Sequence, residues 1–143
     1  MESDRYLLDT CALIWLVQKS KKLSTSAKRS LAHAADIFVS PVTAWEIAIK
    51  HQAGKLILPL DPAEWFRIAV DSFNLTILPL DYQTLVKPAQ LPPHHHDPAD
   101  RAIIAVALSN GLPVVMGDHR FAAYGVAVVC CANAVATSCD PPD

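Results

Sequence analysis

Apolar residues come in short blocks along this chain, and two kinds of block alternate. RYLL (5–8), IFVS (37–40), LTILPL (75–80), PVVM (113–116) and the stretch from Val126 to Val129 are brief and nearly continuous. Such runs fit strands buried on both faces. Longer segments with helical character separate them. CALIWLV (11–17) is apolar throughout, and TSAKRSLAHAA (25–35) follows Ser24, a good N-cap. A third helix begins at Pro41 or Val42, where Val42, Trp45, Ile49 and Ala53 recur at helical spacing and predict a packed face, and Gly54 closes it. Asp61-Pro62 opens a fourth over AEWFRIAVDSF. Asp81–Val86 predicts a short helix, and residues 87–96 a Pro- and His-rich loop. Asp97-Pro98 then starts the most apolar helix, which Asn110-Gly111 ends.

Strands alternating with helices predict an α/β fold, a parallel sheet with helices on both faces. A chain of 143 residues without repeats or a long linker predicts one domain over residues 1–132. The small, polar, Pro-terminated stretch 133–143 reads as a flexible tail.

Composition adds little beyond compactness: 52% apolar and 18% charged residues fit a globular domain and argue against disorder. A net charge of −2 shows no gross basic signature of nucleic-acid binding. That argument weakens if several acids are neutralised by a metal, because the remaining surface is then mildly basic. The cysteines (Cys11, Cys130, Cys131 and Cys139) form no C-x-x-C pair, and adjacent Cys130-Cys131 is a poor disulfide framework. Reduced thiols in a cytoplasmic protein are the simplest expectation. MESDRYLL lacks the basic start of a signal peptide, and no run reaches the ~20 apolar residues of a membrane span.

The acids change the picture. Asp9 ends the first strand, Glu46 sits in the third helix, Asp100 opens the most apolar helix, and Asp118 follows the fourth strand. Each has an ordinary explanation: a helix cap for Asp9, an exposed i,i+4 ion pair with Lys50 for Glu46, a favourable first turn for Asp97 and Asp100, a turn for Asp118. Jointly those explanations are weaker. In a parallel sheet, ligands bind beyond the carboxyl ends of the strands. Carboxylates gathered there repel one another unless a cation lies between them. Hard oxygen donors select Mg²⁺ or Mn²⁺, and such a site suits hydrolysis of phosphate esters. With only four glycines there is no dinucleotide-binding fingerprint or P-loop. Asp9-Thr10-Cys11 lacks the second Asp of an aspartyl-phosphate phosphatase. The run His94–His96 is better read as a solvent-exposed loop than as a soft-metal site. Trp15, Trp45 and Trp65 read as core residues, with a partner groove as the alternative for Trp15 or Trp45.

The segments LLDTCALIWLV (7–17), SPVTAWEIAIKHQAGKL (40–56), HHDPADRAIIAVALSNGLPVVMGD (95–118) and FAAYGV (121–126) resemble PIN-domain proteins, most of all the VapC-like toxins of toxin–antitoxin systems. The resemblance spans about residues 5–129. It implies a Rossmann-like α/β/α sandwich and a Mg²⁺- or Mn²⁺-dependent endoribonuclease. The acidic quartet is carried onto Asp9, Glu46, Asp100 and Asp118, with Asp97 assisting at the metal. It further implies an RNA substrate, a cognate antitoxin and homodimers; Lys50, Arg101 and Arg120 are candidates to contact RNA phosphates. Two positions depart from the pattern: Met116 stands where relatives usually carry Thr or Ser, and Cys11 where many carry His. The alternatives are a non-catalytic RNA- or protein-binding module and a small metal-dependent phosphatase.

Overall fold

Strand and helix alternate as the apolar blocks do. The elements in chain order are β1 (Arg5–Leu8), α1 (Thr10–Val17), α2 (Thr25–Ala32), β2 (Asp36–Val39), α3 (Pro41–Gln52), α4 (Pro62–Ser72), β3 (Thr76–Ile77), α5 (Tyr82–Gln90), α6 (Pro98–Asn110), β4 (Val114–Met116) and β5 (Val128–Cys130). The computed structural model describes residues 4–90, 97–116 and 128–130. The expected tail (133–143) and the run His94–His96 lie outside the described residues.

The sheet is parallel throughout, in the order β3-β2-β1-β4-β5. β1 therefore lies at its centre, with Leu7 level with Phe38 on one side and Val114 on the other. Side chains alternate across a strand, so the sheet divides the apolar residues into two cores. Leu8, Val39 and Val115 pack with α1, α2 and α4 through Ile14, Trp15, Leu31, Trp65 and Phe66. Leu7, Phe38, Val114 and Met116 pack beneath α6 with Ile103, Ile104 and Val106. Helices thus cover both faces, as parallel sheets require.

Local chemistry sets the helix starts. Asp9, Ser24, Ser40, Asp61 and Asp97 each turn a side-chain oxygen onto a backbone N–H of the first turn. Pro occupies the first position of α3, α4 and α6, where its missing N–H costs nothing. Gly111 ends α6 in the left-handed region at φ 62°.

Three sequence expectations change. Ser40 leaves the second strand and caps α3 instead. LTILPL yields strand only at Thr76–Ile77. Leu78 still donates to Val39 O at 2.9 Å, but Pro79 has no N–H to carry the ladder further. α5 runs to Gln90 through Pro88, which was expected to lie in a loop. It packs along α6, and the Arg101 guanidinium donates to Pro88 O, so tertiary contact overrides the local penalty.

The packed face of α3 also differs. Val42, Thr43, Glu46 and Ile47 are buried, whereas Trp45, Ile49 and Ala53 are exposed. The helix is pinned between both cores, Ile47 to one and Val42 to the other. Its buried face is therefore rotated from the one its largest apolar residues suggest.

Candidate metal centre

Every strand of a parallel sheet ends on the same edge, and the connecting helices begin there. Asp9 directly follows β1. α3 starts one residue after β2, which puts Glu46 in its second turn. α6 runs back along the sheet toward β4, so its N-terminus, with Asp97 and Asp100, returns to the same edge. Residues far apart in sequence are thereby brought together. One carboxylate oxygen each from Glu46, Asp97 and Asp100 lies within 4.8 Å of the others.

Asp9 is fully buried, and its Oδ1 accepts from Ala12 N at 2.7 Å. The helix-cap role is therefore real, and it holds the carboxylate at the edge. Asp9 also acts on Asp100 electrostatically. Asp100 is 6% exposed, and its pKa is pushed up to about 9. Burial is the main cause, followed by the charges of Asp9, Glu46 and Asp97; Lys50 opposes them only in part. Asp97 Oδ1 accepts from Ala99 N at 2.9 Å and more weakly from Asp100 N at 3.5 Å. It caps α6 and belongs to the acidic group at once.

Glu46 is held at both oxygens. Thr10 Oγ1 donates to its Oε1, and Lys50 Nζ lies 3.3 Å from its Oε2. A hydroxyl has one proton, so Thr10 Oγ1, having given it to Glu46, can accept from Thr43 Oγ1 at 3.4 Å. The Glu46–Lys50 pair exists as expected, but it is largely buried rather than solvated. Burial alone would lower the Lys50 pKa; Glu46 chiefly, with Cys11 and Asp100, reverses that and holds it above the ordinary lysine value.

Thr10 and Thr43 were not singled out by the sequence. The available signals were Thr10 beside Asp9 and Thr43 one helical turn before Glu46. Both are buried. Met116, where a hydroxyl is expected from the family pattern, is fully buried beneath α6. Hydroxyl support at this edge comes instead from α1 and α3. Arg101 is partly buried and donates to Pro88 O. Asp118 and Arg120 lie outside the described residues.

Among the described residues, cavities lie at the acids and next to them. One of about 320 Å³ is lined by Trp45, Glu46, Ile49, Lys50, Lys55, Asp97 and Pro98 among others. A larger one of about 710 Å³, mostly apolar, lies between α3, α5 and α6. The donor set suits a hard divalent cation: several carboxylate oxygens, no soft ligand in the group among the described residues, and one acid that stays protonated at neutral pH unless positive charge arrives.

The sequence profile of the PIN domain family matches residues 6–127. The chain belongs to the PIN domain family. Its PIN domain is 28% identical over 120 residues to ribonuclease VapC22 of Mycobacterium tuberculosis, covering 82% of this chain and 90% of that protein. The fold recurs in VapBC2 from Rickettsia felis bound to a promoter DNA fragment (TM-score 0.66, 14% identity, 89% and 98% of the two chains). It recurs as well in DNA-bound VapBC from Salmonella typhimurium (TM-score 0.62, 22% identity, 87% and 96%). No helix among the described residues is long and apolar enough to cross a membrane.

Proposed function

We propose that this PIN domain is a divalent-metal-dependent endoribonuclease, the toxin of a toxin–antitoxin pair, acting in the cytoplasm. The observation that carries the proposal is the convergence of Glu46, Asp97 and Asp100 within 4.8 Å, with Asp100 held near pKa 9 by burial and its acidic neighbours. A cluster this unfavourable to its own charge is explained by a cation. The similarity to a protein named a ribonuclease supports the substrate class, and the VapBC complexes support an antitoxin partner. A homodimer fits the same reading.

Asp9, Glu46, Asp100 and Asp118 are the proposed ligands of Mg²⁺ or Mn²⁺, with Asp97 at the mouth of the site. Such an ion screens the phosphodiester and makes a water nucleophilic at neutral pH. The chain's own residues prepare the site for it. Thr10 and Lys50 fix both oxygens of Glu46, so that carboxylate is oriented before any ligand arrives. Asp100 yields its proton when a cation binds. Lys50, Arg101 and Arg120 are proposed to offset phosphate charge along the approach.

The test is cleavage of total RNA with Mn²⁺, with excess EDTA, and by Asp9→Asn. Cleavage by the wild type with Mn²⁺ alone is expected, with less than ~1% of that rate in the other two conditions. Undiminished cleavage in EDTA would overturn the metal-dependent mechanism.

A further inference from the structure

We infer that Trp45 is a substrate-positioning residue, a stacking platform for the nucleobase next to the phosphate bound at the proposed metal centre. The inference rests on the ribonuclease reading. Trp45 is the largest exposed apolar side chain beside the site, at 56% exposure, while Trp15 and Trp65 are buried in the core. Core packing explains those two and not Trp45.

Its position is specific. Trp45 precedes Glu46 and lines both the acidic cavity and the large apolar one, as does Pro98. The two spaces therefore meet at the indole. The acidic side carries Lys50 and Lys55, and the apolar side carries Arg101. An exposed aromatic side chain bordering cavities that carry cations suits single-stranded nucleic acid, where bases stack and charges follow the backbone. The apolar cavity has the volume of an ordinary ligand pocket. A phosphodiester drawn to a cation held by the acids would bring its flanking base to the indole, and the neighbouring apolar walls would exclude water from the ring's edge.

The test measures binding with Ca²⁺ as the metal. The probes are a fluorescein-labelled oligoadenylate of about ten nucleotides and an abasic strand of equal phosphate count. Wild type, Trp45→Phe and Trp45→Leu are compared, each with a thermal melt to confirm folding. Trp45→Leu should weaken oligoadenylate binding roughly five- to hundred-fold and leave the abasic strand unchanged, while Trp45→Phe retains most of the affinity. Indole emission should be quenched by oligoadenylate and not by the abasic strand. A folded Trp45→Leu protein with unchanged affinity, or one that loses both probes equally, overturns the stacking role. If wild type still cleaves RNA in that case, the ribonuclease reading survives alone. Wild type that cleaves no RNA with Mn²⁺ removes both. Unchanged RNA binding with loss of a co-expressed partner protein would assign the indole to that partner and overturn the proposal.

Discussion

Asp9 shows how one side chain can serve fold and site together. Its Oδ1 caps α1 through Ala12 N while the carboxylate stands beside Asp100. Asn caps helices about as well as Asp, so Asp9→Asn should remove the charge and keep the helix. The expected outcome is a melting temperature at or above wild type, with cleavage lost. Thr10 makes a second case. Thr10→Val keeps the shape and removes the hydroxyl that holds Glu46, so Mn²⁺ affinity measured by calorimetry should fall about 10–100-fold, with Thr10→Ser near wild type. Asp9, Glu46 and Asp100 were legible as candidates because carboxylates at the ends of apolar runs are costly without a purpose, while Asp118 lies outside the described residues. Thr10 and Thr43 were not, because a threonine at a helix start or on an apolar face reads equally well as cap, core or surface. Asp97 was legible only as an assistant, since capping alone accounts for an Asp before Pro; its place within the acidic group depends on where α6 begins in space.

At the scale of elements, caps and breakers determined what could be read. The starts of α2, α3, α4 and α6 follow from Ser24, Ser40-Pro41, Asp61-Pro62 and Asp97-Pro98, all visible in the chain. The face of α3 was not, because burial there is set by two cores at once and the largest apolar residue, Trp45, is left outside. The length of α5 was hidden for a related reason, as Pro88 ends a helix locally and is tolerated here by packing on α6. Gly111 offers a clean test of an element's end. Its φ is 62° and a Cβ there would meet nothing within 4 Å, so Gly111→Ala isolates backbone strain. Urea denaturation should show a loss of about 1–2 kcal/mol with an unchanged m value.

Across the whole molecule, the proposed metal centre would link cation, proton and stability. The folded protein keeps a proton on Asp100 that the unfolded chain sheds near pH 4, because the folded pKa is raised to about 9. That contribution to stability is complete below pH 4 and is lost as pH climbs toward 9. The melting temperature of the metal-free protein should therefore fall between pH 5 and 9. The fall should be smaller in Asp100→Asn and smaller again in saturating Mn²⁺. At neutral pH, Mn²⁺ at a hundred times its dissociation constant should add about 2.7 kcal/mol, which chelation reverses; a thermal shift assay reads both. The parallel sheet and its two faces were legible because alternation of apolar blocks dictates them, while the position of β1 at the centre of the sheet is a property of long-range pairing that no local pattern encodes.

That central position bears on how the protein is born. Within this domain β1 is made before β4, so one of its edges stays unpaired until Val114 has been added and can meet Leu7. Glu46 likewise waits for Asp97 and Asp100. A chain in which α6 and β4 have not yet been made therefore exposes an unpaired strand edge and lacks the assembled acidic group.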